Sequence, residues 1–170
     1  MALDVDIWSD VTCPWCAVGK RSLDEALAGF EHRDEVRLAW HAFELDPRAP
    51  RSRERGGNTF DAHRLVKHAA AHGRDTAMMD RLLRAHADGE PVGDREALVR
   101  MAEEVGLEPG PARVALAAGR YAAEVREDER LAAALGITAV PYFIFGRRYG
   151  VAGFHPPPAM LEALRRTWAG

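Results

Sequence analysis

The chain is poor in cysteine, with only Cys13 and Cys16 among its 170 residues. A chain of this length buries enough apolar surface to fold without a disulfide. The two cysteines also stand so close in sequence that a bond between them would close a very small loop, which constrains the unfolded chain little. A structural disulfide is therefore disfavoured, and reactivity or metal binding is the better expectation for this pair.

Long apolar runs and a large excess of one charge are also absent. No uninterrupted apolar segment approaches the ~20 residues that span a bilayer. The first residues include Asp4 and Asp6 and lack the basic and apolar regions of a signal peptide. The net charge is −3 and the pI is about 6.2, neither of which suggests a nucleic-acid-binding surface. We therefore expect a cytoplasmic protein that binds neither nucleic acid nor membrane.

What the chain does contain is a clear order of strand and helix patterns. Apolar residues make up 47% of the sequence and alternate with polar ones from Leu3 and again from Val36 towards Leu45, as in half-buried strands. After the cysteines the apolar residues recur at the spacing of a helix, and this pattern continues through most of the middle of the chain. The predicted helix boundaries include N-caps at Asn58 and Asp94, a longer helix from Tyr121 and a last helix led by Pro156.

Two further strands are predicted close to the C-terminal end. Val140–Phe145 is rich in β-branched and aromatic residues, Gly146-Arg147 is a predicted turn, and Arg148–Val151 can return as a strand. The order is β-α-β, then several helices, then α-β-β-α. The fold class is therefore α/β.

The segment Cys13-Pro14-Trp15-Cys16 lies where the first strand passes into a helix. Only a thiolate exchanges disulfides, and the free N–H groups and dipole at a helix N-terminus favour negative sulfur. Cys13 falls at the predicted cap, and Pro14 suits the first helical position because it needs no N–H. Cys16 is one turn further on and more sheltered. The spacing predicts an attacking Cys13 and a resolving Cys16.

Metal binding and inert burial are the alternatives for the two thiols. Zinc and iron–sulfur sites normally need a fuller ligand set, and the chain has no second cysteine pair. His63, His68 and His72 could complete a zinc site, but polar residues interleave them, which is typical of a solvated helix face. Inert thiols are less expected at an element boundary, so redox chemistry is the favoured reading and no metal is predicted.

With a Val140-Pro141 pair before a later strand, these features resemble the thioredoxin superfamily. That resemblance implies a cis-proline at Pro141 facing the cysteines, with the backbone of Val140 holding the substrate chain. It also implies that Pro14 and Trp15 tune the redox poise. The block of helices in the middle resembles the DsbA-like branch, which implies a thioredoxin-like domain over 1–50 and 121–170 with a helical insertion over 51–120.

Four stretches are similar to the FrnE-type group of cytoplasmic DsbA-family oxidoreductases: Phe43–Pro47, Asn58–Leu65, Gly136–Pro141 and Tyr149–Gly153. This similarity covers nearly the whole chain and implies that Asn58 and His63 lie near the active-site cleft. The chain departs from the group in having only a short loop before Asn58. It also has Ile7 where many thioredoxins bury an acid, which leaves Asp10 and Glu44 as candidates for proton transfer to Cys16.

Three functions compete at this stage. The favoured one is a dithiol oxidoreductase that acts on disulfides of proteins or peptides, with isomerase activity as an additional capacity and a recycling partner that the sequence does not identify. The second is a glutathione-dependent isomerase or transferase of the kappa or hydroxychromene-carboxylate isomerase type. Those relatives characteristically use a serine near the position of Cys13. The third is a holdase that needs neither thiol. No cofactor is expected beyond glutathione as a co-substrate.

Overall fold

The structure, a computed structural model, describes residues 2–170. Four strands form one sheet in the order β2-β1-β3-β4: β1 Leu3–Ser9, β2 Val36–Ala42, β3 Tyr142–Phe145 and β4 Tyr149–Ala152. Seven α-helices accompany the sheet: α1 Pro14–Ala28, α2 Phe60–Ala70, α3 Asp75–Ala87, α4 Arg95–Glu104, α5 Pro109–Ala117, α6 Ala122–Ala134 and α7 Pro157–Trp168. A short 3₁₀ turn, Arg33–Glu35, precedes β2. The predicted α/β order is confirmed.

Strand β1 is the centre of the sheet. It runs parallel to β2 and antiparallel to β3, so that Ile7 lies between Trp40 on one side and Phe143 on the other. Leu3, Val5 and Ile7 are buried towards the main core, as the alternation predicted. Trp8 is buried on the opposite face with Ala132 and Ile137 near the end of α6. Both faces of the central strand are therefore covered.

Helices α1 and α7 pack together beside the sheet, and α2 to α5 form a helical group between β2 and α6. These four helices lie within residues 60–117, and the division of the chain into two domains remains a prediction. Within residues 2–170, the helices are all too short or too polar to cross a membrane.

Several boundaries differ from the sequence-based expectation. Strand β2 ends at Ala42 rather than running to Leu45, because the chain leaves the sheet and the Leu45 N–H binds the Asp10 carboxylate at 2.8 Å. Tyr121 lies outside α6 in a left-handed conformation, with φ of 64°. The N-cap of α2 is Thr59 rather than Asn58, although the Asn58 side chain still accepts the Phe60 N–H at 3.0 Å.

Other local predictions are confirmed. Asp94 is the N-cap of α4, and its carboxylate accepts the Ala97 N–H at 3.0 Å. Gly146 and Arg147, at φ of 55° and 58°, form the turn between β3 and β4. β3 begins only after Pro141, whose missing N–H suits the end of a strand better than its interior.

The expectation of a solvated helix face is wrong for His63 and His68, although His72, which follows α2, is exposed. His63 and His68 are buried, together with Asp61 and Arg64 on the same helix. The reason is that α2 packs against α3, α5 and α6, so that its polar groups face other helices. Most of them find partners there, while His68 Nδ1 is buried without one in the described part of the chain. The Arg64 guanidinium, for example, donates to the carbonyls of Ala115 and Leu116 near the end of α5.

Candidate active site

Cys13 is the N-cap residue of α1, in an extended conformation, and Pro14 occupies the first helical position. The Cys13 carbonyl accepts the Cys16 N–H at 3.1 Å, which starts the helix. The Cys13 N–H donates to the Asp10 carbonyl at 3.3 Å. The backbone thus brings both cysteines together at the positive end of the helix. Both thiols are reduced in this structure.

The environment of Cys13 favours a thiolate. The pKa of Cys13 is lowered to about 6, chiefly because the Cys16 thiol donates a hydrogen bond to its sulfur. The backbone N–H groups of Cys16 and Trp15 add to this effect. Burial opposes it, and so does the negative charge of Asp10. The residue is 6% exposed, so a small opening leads to a sulfur that is largely ionised at neutral pH.

Cys16 has the opposite character. It is 2% exposed, and its pKa is raised because its thiol is held as the donor to Cys13 and because it is buried. The Ser9 hydroxyl and the Asp10 N–H oppose that rise. The Ser9 Oγ is buried and makes no other hydrogen bond among the residues that the structure describes. The two thiols therefore differ strongly in their readiness to ionise.

Val140 and Pro141 lie opposite Cys13, as the resemblance implied. The Cys13 Sγ is 3.8 Å from the Val140 carbonyl oxygen, and the Val140–Pro141 peptide bond is cis. Gly19 on α1 allows this approach, because a Cβ there would lie 3.0 Å from the Pro141 ring. Sequence inspection missed Gly19, since a glycine within a helix gives no indication of a distant partner.

Two aromatic side chains stand in solvent near the cysteines. Trp15 is 61% exposed, and its ring centroid lies 6.2 Å from that of Phe154, which follows β4. Pro14 is exposed as well. The surface around Cys13 is therefore partly apolar and open, while Cys16 lies beneath it.

Asp10 and His63 form a buried pair next to the redox segment. Asp10 Oδ1 lies 3.1 Å from His63 Nε2, and the carboxylate also accepts the N–H groups of Val11 and Leu45, each at 2.8 Å. Burial by itself raises the pKa of Asp10, but the hydrogen bond and charge of His63, the Leu45 N–H and the Thr59 hydroxyl outweigh it, so that the pKa lies below its ordinary value. Asp10 is therefore an ionised carboxylate inside the protein.

The remaining candidates lie further from the thiols. The Asn58 side chain links the loop after β2 to the start of α2. Its amide donates to the Pro47 carbonyl at 3.3 Å, and its oxygen accepts the Phe60 N–H. Glu44 is buried and paired with Arg126 at 2.6 Å. In residues 2–170, the His, Cys, Asp and Glu side chains form no group of three suited to a metal ion.

Comparison with known proteins supports the assignment of this fold. The model of the DSBA-like thioredoxin domain family matches residues 4–165. The chain is 25% identical over 183 aligned positions to the uncharacterized protein YwbO of Bacillus subtilis, with 86% of this chain and 88% of that protein covered.

Among solved structures, the chain resembles the probable DsbA oxidoreductase SCO1869 from Streptomyces coelicolor. The TM-score is 0.92 at 36% identity, covering 99% of this chain and 91% of that one. The cytosolic disulfide reductase DsbM from Pseudomonas aeruginosa, solved with GSH, shares the fold at a TM-score of 0.76 and 19% identity, covering 98% and 100% of the two chains. The chain therefore belongs to the DsbA-like thioredoxin domain family.

Proposed function

We propose that the protein exchanges disulfides with protein or peptide substrates, with Cys13 as the nucleophile and Cys16 as the resolving thiol. The observation that carries this proposal is the asymmetry of the pair. Cys13 lies at the N-terminus of α1 with a pKa lowered to about 6, whereas Cys16 is more deeply buried and its pKa is raised. Two-step exchange requires a thiolate that attacks the substrate disulfide and a second thiol that stays protonated until the mixed disulfide has formed.

In the reducing direction, the Cys13 thiolate attacks one sulfur of a substrate disulfide. A mixed disulfide forms, the substrate S–S bond breaks and the first substrate thiolate leaves. Cys16 then attacks the Cys13 sulfur, which breaks the mixed disulfide and releases the second substrate sulfur, and the Cys16 proton passes to a departing substrate thiolate. The substrate gains two electrons and the enzyme dithiol becomes a Cys13–Cys16 disulfide. A reducing thiol must then restore the dithiol, and the reverse sequence oxidises a substrate.

The surface around Cys13 suits a polypeptide substrate. The Val140 backbone lies next to the Cys13 sulfur and can pair with an extended chain beside Pro141. Pro14 and Trp15 are exposed at the same opening, where they contact substrate and influence the poise of the pair. We further propose that the protein acts in the cytoplasm as an FrnE-type member, in keeping with the Asn58–Leu65 block.

Glutathione is the recycling thiol that we propose first. A small thiol reaches the nearly buried sulfur of Cys13 more easily than a folded partner does, and a cytosolic disulfide reductase of the same fold was solved with GSH. The alternative, a glutathione-dependent isomerase or transferase, is less well supported, because Cys13 and Cys16 form a complete pair. For such an isomerase the second thiol would have no role.

The decisive experiment equilibrates the protein in glutathione redox buffers, traps free thiols with an alkylating reagent and reads the state of the pair by mass. We expect a reversible two-electron transition. A midpoint near about −270 mV would indicate a reductase, and one near about −120 mV an oxidant. The Cys16→Ser variant should accumulate a mixed disulfide at Cys13, while Cys13→Ser should form none.

A pair that never closes would contradict the dithiol mechanism. If Cys16→Ser retained full turnover with glutathione and a small electrophile, the transferase alternative would replace it. If both cysteine variants kept an aggregation-suppressing activity and the wild type showed no exchange, the holdase alternative would remain.

A further inference from the structure

Asp10 is bonded to the redox segment through its backbone as well as its side chain. Its carbonyl accepts the Cys13 N–H, its N–H faces the Cys16 sulfur, and its carboxylate accepts the Val11 N–H. The residue is 1% exposed. A charge held this rigidly beside two thiols acts on them through a medium of low polarity, where it is screened little.

His63 is the group that faces this charge from α2. It is 2% exposed, and because an ionised carboxylate can only accept hydrogen bonds, its Nε2 carries the proton shared with Asp10. The other groups that contact the Asp10 carboxylate are the hydroxyls of Thr12 and Thr59 and the N–H groups of Val11 and Leu45. Its negative charge also acts on the Cys13 thiol. Glu44, next to Leu45, is paired with Arg126.

We infer that Asp10 and His63 are a pair of positioning residues that sets the reactivity of the dithiol, Asp10 disfavouring the Cys13 thiolate and His63 offsetting that effect. The inference rests on the proposed dithiol chemistry. It follows from the geometry, since Asp10 is hydrogen-bonded to Cys13 through its backbone carbonyl and to His63 through its carboxylate. A less stable thiolate makes the pair more reducing, and a more stable one makes it more oxidising.

The two members of the pair should therefore act in opposite directions. Asp10→Asn removes the negative charge and should lower the pH midpoint of Cys13 alkylation by about half a unit or more. His63→Gln replaces the imidazole that is hydrogen-bonded to the Asp10 carboxylate, which leaves that charge less well compensated, and should raise that midpoint. In the double variant the midpoint should lie close to that of Asp10→Asn, because His63 acts on the thiols only through Asp10. The reduction potential should follow the same order.

A buried aspartate–histidine pair elsewhere in the chain provides a matched control. Asp128 is buried, and its Oδ1 lies 2.9 Å from His41 Nδ1, on the side of the sheet covered by α6. Asp128→Asn should destabilise the protein yet leave the Cys13 midpoint unchanged. Far-UV circular dichroism and urea unfolding show whether each variant is folded.

The measurement is the rate of Cys13 alkylation against pH, followed by mass, in reduced protein. It does not need disulfide exchange, so failure of the proposed function would not be mistaken for failure of this inference. Shifts of the same sign in both single variants, or no shift in folded Asp10→Asn protein, would overturn it. A shift in Asp128→Asn as large as that in Asp10→Asn would do so too, because the effect would then be one of general stability.

Discussion

At the scale of single residues, the hydrogen bond from Cys16 governs the reactivity of Cys13. Alkylation of Cys13 in the wild type should rise with pH through a midpoint of about 6. Cys16→Ala removes the donor and should move the midpoint towards the value of an ordinary thiol, about 8.5. Cys16→Ser retains an O–H donor and should move it less. A midpoint that stayed near 6 in Cys16→Ala would show that the helix N-terminus, rather than Cys16, supports the thiolate.

Glu44 is a second residue whose ionisation is strongly perturbed. Burial and the neighbouring Glu129 raise its pKa to about 7, against the attraction of Arg126. Because the folded pKa lies above the unfolded one, Glu44 contributes stability at low pH that is lost as the pH rises towards 7. Glu44→Gln should therefore gain stability relative to the wild type between pH 5 and pH 8, by on the order of 2 kcal/mol.

Urea unfolding of both proteins at the two pH values tests the role of Glu44. The exposed Glu162 on α7 supplies the control, since Glu162→Gln removes a carboxylate that the fold does not bury. A difference between Glu44→Gln and wild type that stays constant with pH would contradict the expectation.

At the scale of elements, α4 depends on its first residue. The Asp94 carboxylate accepts the Ala97 N–H, and loss of such a cap costs about 1 kcal/mol. Asp94→Ala should lower the free energy of unfolding by about that amount, measured by urea at pH 7. Asp94→Ser retains a capping oxygen and should lose much less. If both variants lost the same amount, the ion pair of Asp94 with Arg53, at 3.4 Å, would be the contact that matters.

The helices and strands also show which features local sequence can predict and which it cannot. The N-cap of α4 and the turn at Gly146-Arg147 were predictable, because capping and turn formation involve residues within a few positions of one another. The buried polar face of α2 was not. Its histidines and charged residues have the pattern of an exposed face, and only the helices packed around α2 reverse that.

At the scale of the whole molecule, three buried aspartates make the stability of the fold decrease in acid. Burial alone raises the pKa of Asp10, Asp61 and Asp128, but the partners of each carboxylate outweigh burial and lower the value. The partner is His63 for Asp10, Arg95 and Arg64 for Asp61, and His41 and Lys67 for Asp128. A carboxyl whose pKa is lowered by folding stabilises the protein above its unfolded pKa of about 3.9 and loses that contribution as the pH falls.

The contribution of these three aspartates should therefore be constant from neutral pH down to about 4, so that, beyond the change that Glu44 causes at higher pH, the urea midpoint falls steeply only below about pH 4. Asp61→Asn should be less stable at pH 7 and should show a shallower fall, because one of the three groups no longer titrates. A fall of unchanged steepness in that variant would show that other carboxyl groups dominate acid unfolding.

The sequence by itself determined the chemistry of the centre. The chain has two cysteines one helical turn apart, with Pro14 between them, just after a strand. This arrangement specifies a thiolate at the helix N-terminus and a sheltered second thiol, because the spacing and the helix end are local properties. The alternation along β1 likewise determined which side chains face the core.

Only the tertiary structure decided how that centre is tuned. Val140 lies 127 positions from Cys13 and His63 lies 53 from Asp10, so no local pattern brings either pair together. The direction of each pKa shift depends on desolvation, and desolvation depends on what the rest of the chain packs above and around the group. Asp10 was only one of two candidates by sequence, and its burial against His63 is what separates it from Glu44.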